Sequence, residues 1–250
     1  MGIVHLLRRG GTQMDPKERI IVALDVSDLD KAETLVESLA PYVNCFKIGL
    51  QLMTAVGTPK AVEFVHGLGG KVFLDGKFCD IPNTVGGAAK AAAKLGVKMF
   101  NVHASCGVEA MRNAVENRQS SLVLAVTILT SLDEDNCHLI FGDPVKAKVL
   151  QFARDAKFAG CDGIISSPKE LDFLGKQIGF GNMFMKVTPG VRPEWAAVGD
   201  QKRVMTPGEA IKAGADMLVI GRPITNPPKE VGTPVDAVKR ILDEIAAIAA

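Results

Sequence analysis

The chain has 250 residues, enough for one large barrel or two smaller domains, and its 29 Lys and Arg against 28 Asp and Glu leave no global basic field to hold nucleic acid. No polybasic stretch marks a membrane-surface protein, and no apolar run reaches the length that spans a bilayer. The five cysteines (Cys45, Cys79, Cys106, Cys137 and Cys161) are odd in number and widely spaced, which argues against a disulfide framework and against zinc-type spacing and fits reduced thiols in the cytoplasm.

Residues 1–13 are too short and too weakly apolar for a secretory signal, and read as a loose extension ahead of Met14. From there to residue 250, short β-branched runs alternate with longer Ala- and Leu-rich stretches. Strands are expected at Arg19–Leu24, Cys45–Ile48, Lys71–Leu74, Lys98–Val102, Leu122–Thr127, Gly163–Ile165, Met183–Val187 and Met217–Ile220. Between them the pattern predicts helices at Leu29–Leu39, Pro59–His66, Val85–Leu95, Gly107–Glu116, Pro144–Phe158, Pro168–Gln177 and Pro207–Ala213, with a last one at Pro234–Ala249. Pro near the start of several of these suits the first helical turn. Eight β-then-α units imply a parallel sheet, and eight is the number that closes a (β/α)₈ TIM barrel. A doubly wound open sheet competes, but no G-x-G-x-x-G follows the first strand.

Polar residues punctuate the strand ends. Asp25 ends the first strand, Lys47 comes from the second and Asp75 ends the third. His103 follows the fourth, Thr130 and Ser131 the fifth, Ser166 and Ser167 the sixth, Pro189 and Gly190 the seventh, and Gly221 and Arg222 the eighth. In a barrel all of these gather on the face where such enzymes build their sites. The segment Asp75-Gly-Lys77-Phe-Cys-Asp80-Ile-Pro-Asn-Thr84 is the sharpest signal. With Lys47 from the neighbouring strand, Lys47, Asp75, Lys77 and Asp80 form an expected row of alternating charge. A Lys between two carboxylates keeps its proton and is placed to donate it. The same spacing also suits a salt-bridge network that only locks the rim. After the eighth strand, Gly221 permits close backbone approach and Arg222 offers a fork for a phosphate dianion. The long polar stretch from Arg192 through Asp200 and Gln201 to Arg203 reads either as a lid or as an ordinary surface loop.

Taken together and in order, Ala-Leu-Asp25, Phe-Lys47-Ile-Gly, Asp75-x-Lys77-x-x-Asp80-Ile-Pro-Asn-Thr84, Leu-Thr130-Ser131, Thr-Pro189-Gly-Val-Arg192, Asp200-Gln201 and Gly221-Arg222-Pro-Ile closely resemble the orotidine 5'-monophosphate decarboxylase family. The resemblance runs from about Arg19 to Gly232. It implies a homodimer with active sites shared across the interface, where Asp80, Ile81 and Thr84 reach the neighbouring subunit's substrate. Asp25 and Lys47 would hold ribose hydroxyls, Ser131 the pyrimidine and Pro189 its face. Gln201 would bridge base and phosphate, and Gly221 and Arg222 would grip the phosphate. Arg192 belongs to the same expected binding set, as does Thr130. Lys77 would deliver a proton to the ring carbon vacated by carbon dioxide, with Asp75, Asp80 and Lys47 completing the catalytic group and no metal or organic cofactor. His103 stays outside this set, as a hydrogen-bonded structural residue.

Two departures stand out. Gly76 stands where a larger apolar residue is usual, an exchange expected to loosen the loop carrying Lys77, and Cys79 occupies a variable position that is often His or Tyr. Two rivals remain: a magnesium-dependent sugar-phosphate lyase of related barrel type, and a non-catalytic barrel that binds a nucleotide. The first needs a carboxylate where this chain has Lys47. The second gives no reason for Lys77 between carboxylates.

Overall fold

Eight parallel strands hydrogen-bond in sequence order, β1 to β8, and β1 pairs back to β8, so the sheet closes. They are β1 (Ile20–Leu24), β2 (Cys45–Gly49), β3 (Lys71–Phe78), β4 (Met99–His103), β5 (Leu122–Val126), β6 (Gly163–Ile165), β7 (Met185–Thr188) and β8 (Met217–Ile220). The computed structural model describes residues 14–178, 184–196 and 205–249. The expected Met183 start of β7, the extension 1–13 and Gln201 lie outside the described residues.

Pleating sorts each strand into two sets. Ile21, Ala23, Cys45, Phe73, Met99, Leu124, Val126, Ile165, Val187 and Val219 fill the barrel interior. Their alternating neighbours, such as Ile20, Val22, Phe46, Leu74 and Phe100, pack outward against the helices. Both layers are almost wholly buried. Because side-chain direction repeats every second residue, the inward set continues at the carboxyl end of four neighbouring strands as Asp25, Lys47, Asp75 and Asn101. The last interior layer there is polar, and it forms the floor of the barrel mouth.

The helices sit close to their expected positions, with Leu29–Leu39 and Pro234–Ala249 matching the sequence reading at both ends. Asp28 caps the first of these by accepting from Lys31 N at 3.0 Å. Pro82 opens its helix at the first position, so that helix begins three residues earlier than expected. The expected Pro168–Gln177 helix is a 3₁₀ turn at Pro168–Glu170 leading into Leu171–Ile178. Four α-helices among the described residues were not foreseen: Pro16–Arg19, Leu50–Val56, which follows β2 with no spacer, Glu134–Phe141, capped by Asp133, and the short Arg222–Thr225.

The largest correction concerns β3. It does not end at Leu74 but runs on to Phe78, carrying Asp75, Gly76 and Lys77 within it. Its register with β4 shifts between Leu74 and Phe78, and Lys77 has a φ of 47°. A β-bulge of this kind re-aims a side chain at a barrel rim. A non-glycine residue in the left-handed region costs on the order of 1–3 kcal/mol, which its surroundings must offset.

Candidate active site

A cavity of about 350 Å³ opens at the carboxyl end of the strands. Asp25, Lys47, Asp75, Lys77, Thr130, Ser131, Pro189, Arg192, Gly221 and Arg222, ten of the expected site residues, line it together. The inward parity of the strands accounts for many of them. Asp25 follows Ala23, Lys47 follows Cys45, Asp75 follows Phe73, Pro189 follows Val187 and Gly221 follows Val219, each two residues on.

Within the cavity the charges form a chain. Lys47 Nζ lies 2.8 Å from Asp25 Oδ1 and 3.2 Å from Asp75 Oδ2. Lys77 Nζ lies 2.7 Å from Asp75 Oδ1. Lys47 and Asp75 are buried, Lys77 is half-buried and Asp25 is exposed. The signs alternate and the four charges cancel, which is how buried ionic groups escape an uncompensated desolvation cost. Burial alone works against a charge on Lys47. The carboxylates of Asp75 and Asp25 outweigh it and hold the ammonium above the ordinary lysine range.

Asp80 does not join this chain, contrary to the row expected from spacing. Past the bulge the backbone turns away, and Asp80 is exposed, with its Oδ1 accepting from Ile81 N at 2.7 Å. Asp25 takes the second place beside Lys47 instead. Ile81 is 67% exposed, Thr84 is also exposed, and neither lines the cavity of their own chain.

Gly76 stands where the fold leaves little room for a side chain. A Cβ there would lie 2.7 Å from the Phe78 ring, so that ring, which also stands 5.7 Å from Phe100, occupies the space a side chain would need. Cys79 is exposed, 3.9 Å from Ser105 Oγ. His103 is absent from the cavity wall. Its Nδ1 lies 2.6 Å from Ser105 Oγ, and burial followed by the Lys77 charge pushes its pKa down, so the ring stays neutral at neutral pH.

Sequence reasoning missed Asn101. It is fully buried on β4, donates to Asp75 Oδ1 at 2.7 Å and accepts from Lys77 N at 2.7 Å. An uncharged residue inside an apolar strand carries little local signal. Counting two residues on from the inward-facing Met99 would have placed it beside Asp75.

The anion end of the cavity is built from loops. Gly190 has a φ of 77°, and the chain beyond it is tied back by Arg192 N donating to Met205 O at 2.9 Å. At the other loop Gly221 precedes the short helix Arg222–Thr225, and both Gly221 and Arg222 line the mouth. Cations at one end and an ammonium flanked by a carboxylate at the other suit a ligand with an anionic tail and a second reacting centre.

Comparison with known proteins agrees with this geometry. Residues 18–241 match the model of the Orotidine 5'-phosphate decarboxylase / HUMPS family. The orotidine 5'-phosphate decarboxylase of Geotalea uraniireducens is 45% identical over 245 residues, covering 95% of this chain and 99% of that relative. That of Moorella thermoacetica is 47% identical over 244 residues, covering 93% of this chain and 94% of the relative. The crystal structure of orotidine 5'-phosphate decarboxylase from Lactobacillus acidophilus superposes with a TM-score of 0.77 at 33% identity, over 91% of this chain and 99% of that one. With a closed barrel and near full-length similarity, this chain belongs to the Orotidine 5'-phosphate decarboxylase / HUMPS family.

Proposed function

We propose that this protein removes carbon dioxide from orotidine 5'-monophosphate to give uridine 5'-monophosphate, without metal or organic cofactor, as a cytoplasmic homodimer whose sites are shared between subunits. The observation that carries this reading is the ammonium of Lys77, held 2.7 Å from Asp75 and lining the same cavity as Arg222. The bond between the ring carbon and the substrate carboxylate breaks, its electron pair stays on the carbon and carbon dioxide leaves. The Lys77 ammonium then gives its proton to that carbon and is reprotonated from solvent. No adjacent carbonyl absorbs the charge directly, so a fixed cation beside it supplies stabilisation, at a scale of about 3–4 kcal/mol for one preorganised donor. Phosphate binding by Arg222 and the Gly221 loop supplies remote binding energy for orienting the ring and excluding water. Asp25 and Lys47 hold the ribose, Thr130, Ser131 and Pro189 the base, and Arg192 lies on the phosphate side. Gln201 belongs to the same set, from the segment outside the described residues.

The exposed Asp80, Ile81 and Thr84, at the turn into the helix that Pro82 opens, support the shared site, because these polar and apolar groups are placed to reach a second copy's cavity. Lys47 supports the metal-free reading, since it puts an ammonium at the strand-two position where the magnesium-dependent rival needs a carboxylate. The test is direct: metal-stripped protein with chelator is mixed with orotidine 5'-monophosphate and the loss of substrate ultraviolet absorbance is followed. Turnover is expected, and Lys77→Ala is expected to lose kcat far more than ligand affinity. Activity restored only by magnesium would favour the sugar-phosphate lyase chemistry, and a near-normal rate for Lys77→Ala would remove that residue from the mechanism.

A further inference from the structure

One side chain outside the ionic chain touches both ends of the segment that carries Lys77. Asn101 is 0% exposed and stands on β4 beside β3. Its amide nitrogen meets Asp75 Oδ1 and its carbonyl oxygen meets Lys77 N, both at 2.7 Å. Chemistry fixes which end is which, because a peptide N–H only donates and a carboxylate only accepts. Leucine at this position would satisfy neither partner, and an ionised aspartate would satisfy only one.

We propose that Asn101 is a positioning residue for the decarboxylation, one that sets the backbone at Lys77 and the orientation of Asp75 at the same time. The inference rests on the reading of Lys77 as the proton donor. Three observations support it. Lys77 N lies within the stretch where β3 and β4 change register, so the Asn101 carbonyl takes the place of a ladder partner. The left-handed conformation at Lys77 (φ 47°) persists only where surroundings impose it, and this hydrogen bond holds the N–H of that residue from outside its own strand. Asp75 Oδ1 receives both Asn101 Nδ2 and Lys77 Nζ, so the amide fixes which direction remains for the ammonium. A side chain that orients a reacting group through a second hydrogen bond acts on rate by geometry, as supporting partners of metal ligands do.

The titratable groups nearest this position are Asp75 and Lys77 on β3, Lys47 on β2 beyond Asp75, and His103 further along β4. On the other side β5 presents Leu124. This setting gives a test that a purely structural role would not pass. Steady-state kinetics and thermal unfolding are measured for Asn101→Leu and Asn101→Asp alongside Lys77→Ala. Asn101→Leu is expected to lower kcat on the order of 100-fold, the loss that a misplacement of about 1 Å produces, with KM little changed. In Asn101→Asp the new carboxyl, when protonated, donates to Asp75 and still accepts from Lys77 N. When ionised it repels Asp75 and offers no donor. Its kcat relative to wild type is therefore expected to be highest at acid pH and to fall as pH rises.

A kcat for Asn101→Leu within about twofold of wild type, while Lys77→Ala is inactive, would overturn the inference. So would an Asn101→Asp pH profile parallel to that of the wild type, and this second comparison decides alone if Asn101→Leu does not fold. Lys77→Ala turning over normally would overturn the reading of Lys77, and the inference with it.

Discussion

Replacing Lys47 by Met keeps most of the unbranched stem and removes the cation from between two carboxylates. The contact with Asp25 carries little of the cost, because that side chain is 57% exposed and an exposed pair contributes only ~0–1 kcal/mol. The contact with Asp75 joins side chains that are 10% and 11% exposed, and removing one partner of a buried pair costs on the order of 3–5 kcal/mol. Lys77 and Asn101 remain on Asp75, which places the expectation at the lower end, about 3 kcal/mol. For a chain of this size each kcal/mol moves the midpoint by roughly 2–4 °C, so thermal unfolding of Lys47→Met should shift down by roughly 6–12 °C. The pH dependence follows from the sign. Burial opposes the charge on Lys47, but Asp75 and Asp25 outweigh it and raise its pKa above the ordinary 10.5. A group raised on folding stabilises fully below its unfolded pKa and loses that contribution as pH climbs through the folded one. The gap between wild type and Lys47→Met should therefore hold constant through neutral pH and close only above pH 10.5. A midpoint shift under about 2 °C, or a gap that closes between pH 6 and 8, would refute the account of Lys47 as a cation held by two carboxylates.

Arg222→Ala should weaken binding of phosphorylated ligands by about 2–4 kcal/mol while hardly changing the bare nucleoside, as read by titration calorimetry, and equal losses for both would remove the phosphate assignment. Mixing inactive Lys77→Ala with inactive Asp80→Ala subunits should recover part of the activity, since one of the two sites in a mixed dimer then contains both intact residues. Absence of recovery, with subunit exchange proven, would count against a shared site.

The barrel was legible because eight apolar runs sit at intervals that only a strand–helix alternation fills, and most of the mouth followed from it. Asp25, Lys47 and Asp75 are each two residues past an inward apolar residue, so period-two counting alone sends them to the axis. The counting fails at β3. A bulge inserts a change of register that no residue in Asp-Gly-Lys-Phe announces, and beyond it Asp80 turns outward although its spacing from Lys77 had suggested a fourth place in the chain of charges. Gly76 misled for a related reason. A glycine suggests slack in a sequence, but here the ring of Phe78 fills the gap two residues later. Asn101 was hidden by its lack of charge, although the same period-two count from the inward Met99 reaches it.

The two ends of the mouth differ in how their geometry is fixed. Lys47 and Asp75 hang from strands whose heights are set by two apolar layers, and their contacts of 2.7–3.2 Å inherit that rigidity. The anion end rests on the loops after β7 and β8, where Gly190 and Gly221 let the backbone come close to a ligand. A rigid charged floor suits a step in which charge appears on one atom and reorganisation would cost rate. A loop-built anchor suits the opposite demand, because in the proposed reaction the product keeps the substrate's phosphate and has to leave. Lys77 stands between these regimes. It belongs to a strand but leaves its ladder at a strained residue, and its aim is set less by the sheet than by Asp75 and Asn101. The reactivity of the site therefore depends on a hydrogen-bonded triangle at the end of β3 and β4, held at the height that the two apolar layers of the barrel set for those strands.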